Sequence, residues 1–471
     1  MPNAGVLKQL MTAVFTRIRL FRIAVDSHCR LRASARVSRL PDWIKLRYVL
    51  VSATLVLAVT ACNDQSGFPF AEEPAIAPDA VIQPTAASGD QTPEASPDSR
   101  QLVVWLPDFA GYGDDGNAGE VLQSAFRQFE QDHPSVSIEV QEKATTGQSD
   151  ILSYLRNAQR VAPSILPDLA LVDSQQLWQL VDIGLLQPIE TPPMERSPDF
   201  YQFALDSTRY KDSWYAIPFS ADVLHLADYP PQDADVPANW GDVLTVAEPY
   251  LYAAAGADAF QNGAVLLQYV GAGGQLLEDG STTSEEALRS VFNFVVAGSE
   301  DGVIPPSVME LATLDAVWNG LLEQGIGFGN ISASDYLANR ETAPEIGYAQ
   351  IPTRQGLPTT LGTTWSFIVL GEDPAQRSLA FELIDDLLAP AIQGAWSQYA
   401  NRLPTQRTAL QAWTNATAYT DFLSRQLEVA VALPNGRAFA DFADRLLMAQ
   451  QGVLGGDLTP QEAVAQVRGP G

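Results

Sequence analysis

The chain has 471 residues, 46% hydrophobic and 18% charged, which is apolar material enough for a sizeable core and more chain than one core usually organises. Its 28 Lys plus Arg against 56 Asp plus Glu leave a formal charge of −28, a balance that disfavours nucleic acid and anionic lipid headgroups as partners. The two cysteines, Cys29 and Cys62, and the scattered His28, His133 and His225 supply neither a disulfide framework nor zinc-ligand spacing, so no metal or cofactor is expected.

Residues 48–61 form an uncharged run behind Lys45 and Arg47. The run is shorter than the roughly 20 apolar residues that a membrane-spanning helix needs, and it reads as the apolar region of a signal peptide. Val59-Thr60-Ala61-Cys62 follows at its end, and this boundary resembles a bacterial lipobox. The resemblance implies cleavage after residue 61 and lipidation of Cys62 as the first mature residue. The 47 residues ahead of the run are long for a leader, so translation is expected to start downstream of Met1. From residue 63 onward 18 Lys plus Arg face 54 Asp plus Glu, a formal charge of −36. Pro69, Pro74, Pro78, Pro84, Pro93 and Pro97 lie among small and acidic residues that cannot build a core, so 62–100 reads as lipidated cysteine and tether.

The body opens on LVVWL, 102–106, an apolar run rich in strand formers. A helix follows, with Val121, Leu122, Ala125, Phe126 and Phe129 at helical spacing and Pro134 as its stop. Val136, Ile138 and Val140 alternate as a strand. A second helix over 150–160 leads to a strand at 169–172 and a third helix from SQQLWQLVDIG. This β-α-β-α order predicts an α/β fold with mainly parallel sheets flanked by helices, whose ligands sit beyond the carboxyl ends of strands. The loops 107–112 and 173–175 occupy such ends. Residues 215–226, YAIPFSADVLHL, read as a strand in which Pro218 marks a passage from one sheet to another, and Ile351-Pro352 reads as a second passage. Strand character returns in LGTTWSFIVL, 361–370; Asp373 and Pro374 then cap and open a helix with Ala380, Leu383, Ile384, Leu387 and Leu388 on one face. Thr459-Pro460-Gln461-Glu462 is a capping box.

Taken in order, LVVWLPDFAGY, PDLALVDSQQLWQLVDIGLLQPI, WYAIPFSADVLHL, TTWSFIVLGEDPAQRSLAFELIDDLLAP, NRLPTQRTAL and GDLTPQEAVAQ resemble the extracellular solute-binding proteins of ABC importers, in the branch that binds maltose and other sugars. The resemblance implies a type II periplasmic-binding-protein fold of two lobes with a ligand cleft between them. Lobe one is expected over 101–219 and 358–390, and lobe two over 220–357 and 391–471, behind the 1–61 leader. It places Pro107, Asp108 and Phe109 in a first ligand loop and Asp173, Ser174 and Gln175 in a second, with Asp222 as an acidic ligand residue past the first crossing. Tyr399 and Arg402 flank a loop that faces the cleft in relatives, and Trp365 and Asn330 complete the candidate ligand set.

Such residues suit a sugar on chemical grounds, since its hydroxyls donate to carboxylate and amide oxygens and its C–H patches lie on aromatic rings. The expected partners are a small polar solute, a sugar favoured, and ABC permease subunits in the membrane, with the chain itself a monomer held at the cell envelope. A lipoprotein that feeds ligand occupancy to a membrane sensor is the alternative. A secreted carbohydrate-active enzyme would need two of Asp108, Asp173 and Asp222 as acid and base, and no nucleophile elbow, P-loop or HExxH motif accompanies them.

Overall fold

The computed structural model describes residues 99–469 apart from 148, 232–235 and 416, so Cys62 and the leader lie outside the described residues. Strand β1 (Arg100–Pro107) carries the LVVWL run. Side chains alternate across a strand, so Leu102, Val104 and Leu106 enter one core while Trp105 enters another. Both faces of the sheet are therefore covered. Helix α1 (Asn117–Asp132) sets Leu122, Phe126 and Phe129 into the first of these cores, and β2 (Val136–Lys143) returns parallel to β1. On the other face lies α2 (Ile151–Val161), started by Asp150, whose side chain accepts from the Ser153 N–H. Strand β3 (Leu169–Asp173) then pairs parallel with β1.

Four more strands complete the main path: β4 (Ile217–Tyr229), β5 (Tyr250–Leu251), β6 (Gly327–Ser332) and β7 (Thr360–Val369). Their order is β2-β1-β3-β7-β4-β6-β5. The sheet is mixed. Crossover units give parallel pairs toward its ends, β1 with β2 and β3, and β5 with β6. The long strands β4 and β7 run antiparallel to their neighbours in the middle.

Those two strands join the lobes. β4 gives Ile217 and Phe219 to the first lobe's core and Val223, Leu224 and Leu226 to the second, while β7 gives Leu361 to the second and Phe367 and Val369 to the first. Their register slips between Trp365 and Ser366, a bulge that bends the strand at the junction. Ser174, Ser207, Thr364 and Ser366 meet there as a fully buried chain of hydroxyls. Two expectations are corrected. Ile351-Pro352 is not a crossing: Ile351 lies in the second core, and the Pro352 carbonyl accepts from Gln268 Nε2 at 3.0 Å within the same lobe. A proline here marks a bend, and the second crossing is β7. Helix Pro390–Tyr399, expected with lobe two from residue 391, packs on the first core, because Trp396 lies against Phe219 at 4.7 Å and its Nε1 donates to the Ala110 carbonyl at 3.2 Å. Among the described residues no helix is long and apolar enough to cross a membrane.

The second core encloses His225, wholly buried among Tyr336, Tyr419 and Phe422. Its Nδ1 faces the Leu226 carbonyl at 3.0 Å, a contact that puts the proton on Nδ1 and leaves Nε2 to accept from the Tyr419 hydroxyl at 2.9 Å. Burial pushes the imidazole down to about 4. An unfolded histidine titrates near 6.5, so between these values the unfolded chain binds more protons and stability falls as pH drops. The contribution is complete above pH 6.5 and reaches about 3 kcal/mol when fully lost near pH 4. Denaturant unfolding of the wild type and His225→Gln from pH 7 to 4 should show the wild type losing stability more steeply; parallel curves would refute it.

Candidate functional site

The site grows from strand parity. Trp365 on β7 pairs directly with Asp173 at the end of β3, and Thr363 pairs with Asp222 on β4. Paired residues share a face, and residues two apart share it too. Asp173, Trp365, Thr363 and Asp222 therefore line one side of the junction between the lobes.

Onto this side come two loops. The first strand ends in a single 3-10 turn, Asp108–Ala110, closed by Gly111 in the left-handed region at φ 68. The turn directs Phe109 edge-on to the Trp365 ring, with centroids 4.8 Å apart and planes at 78°. The second loop follows helix Pro390–Tyr399: Asn401 takes a left-handed backbone at φ 54, the Arg402 N–H bonds the Ser397 carbonyl at 2.9 Å, and Leu403-Pro404 pairs with Ala221 and Ser220. Arg402 is thereby set next to Asp222. Its guanidinium lies 4.3 Å over the Phe109 ring and 3.8 Å from Asp222 Oδ2, so it joins a ring packed on the first core to a carboxylate on the part of β4 that enters the second.

The second lobe adds Ser334 and Asp335 from the first turn of helix Ala333–Asn339. Asp222 is only 6% exposed, and it accepts from the Ser334 N–H at 3.2 Å, the Ser334 hydroxyl and the Val223 N–H at 2.9 Å. Burial raises its pKa, with Arg402 the largest opposing influence and the Ser334 bonds next. Burial likewise holds Asp335 up at about 6, against the Ser332 hydroxyl and with Asp222 adding to the rise. Asp173 is pushed up to about 7 by burial, with its bond from the Gln175 N–H opposing and the charge of Asp258 in the second lobe reinforcing. The result is a set of under-solvated carboxylates around one arginine and two aromatic rings. Such a set can accept hydrogen bonds from hydroxyls and cover a C–H face, and among the described residues no group of His, Cys, Asp and Glu is placed to hold a metal.

Several expected residues stand elsewhere. Ser174 is fully buried and bonds Thr364 and Ser366 at 2.6 Å each, since the step past Asp173 turns it to the opposite side of the sheet. Asn330 is 1% exposed inside the second core, where its Oδ1 accepts from the Tyr250 hydroxyl at 2.9 Å. Tyr399 borders a separate recess with Asn117, Glu120 and Val121 of α1. Asp108 is exposed and accepts from the Phe109 N–H at 3.0 Å, which makes it a turn former. Gln175 spends its amide on the Leu433 carbonyl at 2.9 Å, a tie between segments. Ser334, Asp335 and Asp258 were not anticipated. Their one sequence signal is Ser332 with Asp335 three residues on, an N-cap pattern directly after a strand.

Residues 124–422 match the family described as bacterial extracellular solute-binding protein. Solved structures match nearly over their whole length. The GacH receptor of Streptomyces glaucescens, known unliganded and with acarbose and an acarbose homolog, is 17% identical over 79% of this chain and 97% of its own, with a TM-score of 0.60. The cyclic alpha-maltosyl-1,6-maltose binding protein of Arthrobacter globiformis is 19% identical over 78% and 97%, with a TM-score of 0.62. The sugar-binding protein MalE of Xanthomonas citri is 17% identical over 78% and 95%, with a TM-score of 0.64. No curated protein matches by sequence. At these identities the structural likeness shows the fold, the two-lobed arrangement of type II periplasmic binding proteins.

Proposed function

Because the chain belongs to the bacterial extracellular solute-binding proteins, we propose that it captures a small polar solute, a sugar, between its lobes and delivers it to the permease subunits of an ABC importer. The observation that carries this reading is Arg402, stacked on Phe109 and facing Asp222, because it fills the space between the two lobes with one aromatic face and one acceptor cluster. We assign ligand contact to Phe109, Trp365, Arg402, Asp222 and Asp173. The acarbose and maltosyl-maltose bound by the neighbours support a sugar with several hydroxyls. In a site that excludes water each unmet hydroxyl costs about 1–3 kcal/mol, which is how such a site selects. Titration calorimetry with maltose, maltotetraose and acarbose, with mass spectrometry of whatever co-purifies, tests the reading. Saturable binding of one of them, or a co-purified sugar, is expected; no sugar by either route would refute it.

The same proposal holds the body at the membrane through lipidated Cys62. Several acyl chains hold firmly where one binds reversibly, since each buried methylene contributes about 0.8 kcal/mol. Cys62→Ser should leave unprocessed precursor or release the protein into the soluble fraction. Processing and fractionation identical to wild type would rule the anchor out.

A further inference from the structure

The end of the first lobe away from the candidate site carries an apolar rim. β1 and β3 run parallel, and β7 runs against β3 with Trp365 beside Asp173 and Val369 beside Leu169. Asp173 therefore marks the site's end of the sheet, and Leu169 the opposite end, where Arg100 brings the chain into β1. There α2 stops at Val161, a 3-10 turn covers Pro163–Ile165, and helix Leu177–Asp182 stops just ahead of Ile183. The two helices lie together on one core, and Arg156 of α2 donates to Gln179 Oε1 at 3.2 Å. Pro163, Ser164, Leu166, Gly184, Leu185 and Leu370 are among the residues around a recess of about 400 Å³, so these ends are contiguous. Val161 is 72% exposed, Ile165 59% and Ile183 44%. Single exposed apolar side chains are ordinary, but three around one recess make a patch that marks a contact surface.

The charge of this rim departs from that of the chain. Residues 151–167 hold Arg156 and Arg160 and no acidic residue, in a sequence with 56 acidic side chains against 28 basic ones. Both arginines are exposed and turn to amides instead of carboxylates, Arg156 to Gln179 and Arg160 to Asn157 Oδ1 at 3.5 Å. Asp168 and Glu372 border the recess together with Arg377, which leaves the two arginines as the local excess. A surface with anionic oxygens outside and hydrocarbon beneath fits such a rim, and that is a phospholipid bilayer. The chain also enters the body at this pole, and between Cys62 and Arg100 it can extend to about 130 Å at about 3.4 Å per residue. An anchored body stays at high local concentration beside the bilayer, which offsets the repulsion that its total charge meets at a distance.

We propose that this pole rests on the phospholipid surface to which the chain is anchored, with Val161, Ile165 and Ile183 against hydrocarbon and Arg156 and Arg160 on headgroup phosphates. The candidate site then stands one strand length, roughly 25 Å, farther out, where solute arrives. The proposal rests on the Cys62 reading for how the body reaches the bilayer, and the two fail separately. Cys62 is the one cysteine after residue 61, so the mature chain can be coupled there to maleimide-phosphatidylethanolamine whether or not a cell lipidates it. The vesicles hold three parts phosphatidylethanolamine to one of phosphatidylglycerol. Hydrogen exchange of the coupled chain, compared with the same chain capped at Cys62 and free in solution, should slow several-fold in 161–166 and 183–185. It should stay unchanged around Ile326 and Leu357, which are exposed apolar side chains elsewhere. Val161→Glu/Ile165→Glu should abolish the slowing and keep the melting temperature, since both side chains are exposed. Exchange at the solution rate in the coupled wild type overturns the proposal, as does slowing that survives in the double variant or appears equally around Leu357. Slowing that arises without vesicles and grows with protein concentration gives the face to a second copy of the chain and overturns the lipid.

Discussion

Changing Asp222 to asparagine is expected to weaken solute binding about tenfold while leaving the melting temperature close to wild type. Everything around the carboxylate donates to it: the Ser334 N–H and hydroxyl, the Val223 N–H, and Arg402 at 3.8 Å. An asparagine Oδ1 can keep the bonds from the Ser334 and Val223 N–H groups, so the first turn of helix Ala333–Asn339 keeps that acceptor, while Nδ2 replaces the oxygen that accepts from the Ser334 hydroxyl and faces Arg402. What it loses is charge. A hydrogen bond to a charged group contributes about 1.5–3 kcal/mol against about 1 for a neutral pair, and a difference near 1.4 kcal/mol is tenfold in affinity. Alanine should behave differently, because it strands three donors and lowers stability together with affinity. If the asparagine variant binds the co-purified solute as tightly as wild type, Asp222 only caps a helix and leaves the ligand set.

Trp396→Ala should reduce unfolding free energy by about 3–5 kcal/mol, the range for emptying a large aromatic site in a packed core. The ring is wholly buried and lies 4.7 Å from Phe219. Its indole N–H also holds the Ala110 carbonyl, one residue past Phe109, at 3.2 Å. The same substitution should therefore weaken solute binding as well, since the turn that aims Phe109 loses its support. Trp396→Phe separates the two effects: it keeps much of the packing and removes the hydrogen bond, so affinity should fall with a smaller loss of stability. Denaturant unfolding and calorimetry on both variants check this; an alanine loss below about 1 kcal/mol would mean that the core closes over the gap.

Local signals in the sequence were strong where one segment decides its own conformation. The apolar run of β1, the helical spacing of α1, the cap of Asp373 on Ala375 and the capping box at Thr459 all appear as the residues dictate. The passage marked by Pro218 is legible for a related reason, since a proline inside a strand signals a change of partners, and β4 does pass from the first core to the second, carrying Asp222 to the junction. The failures share a cause. Whether Ser174 points to the junction or beneath it depends on one residue of parity at the end of β3, and whether Asn330 faces outward depends on Tyr250 from another strand. Neither is a property of its own segment. Asp258, which touches Asp173 only through its charge, and Ser334, which is far from Asp222 in sequence, are visible only once the chain is folded.

The hydroxyls at the junction have one further consequence, concerning the direction of their protons. Ser207 gives its hydrogen to the Ala204 carbonyl at 2.8 Å, an acceptor that cannot return it. Thr364, 2.6 Å away, must then donate to Ser207; Ser174 must donate to Thr364; and Ser366 must donate to Ser174. A single carbonyl thus fixes the orientation of four buried groups, and each aligned bond polarises the next. Removing the Ser207 hydroxyl would leave the remaining three free to reverse as a unit, replacing one ordered arrangement with two of similar energy where the lobes pivot.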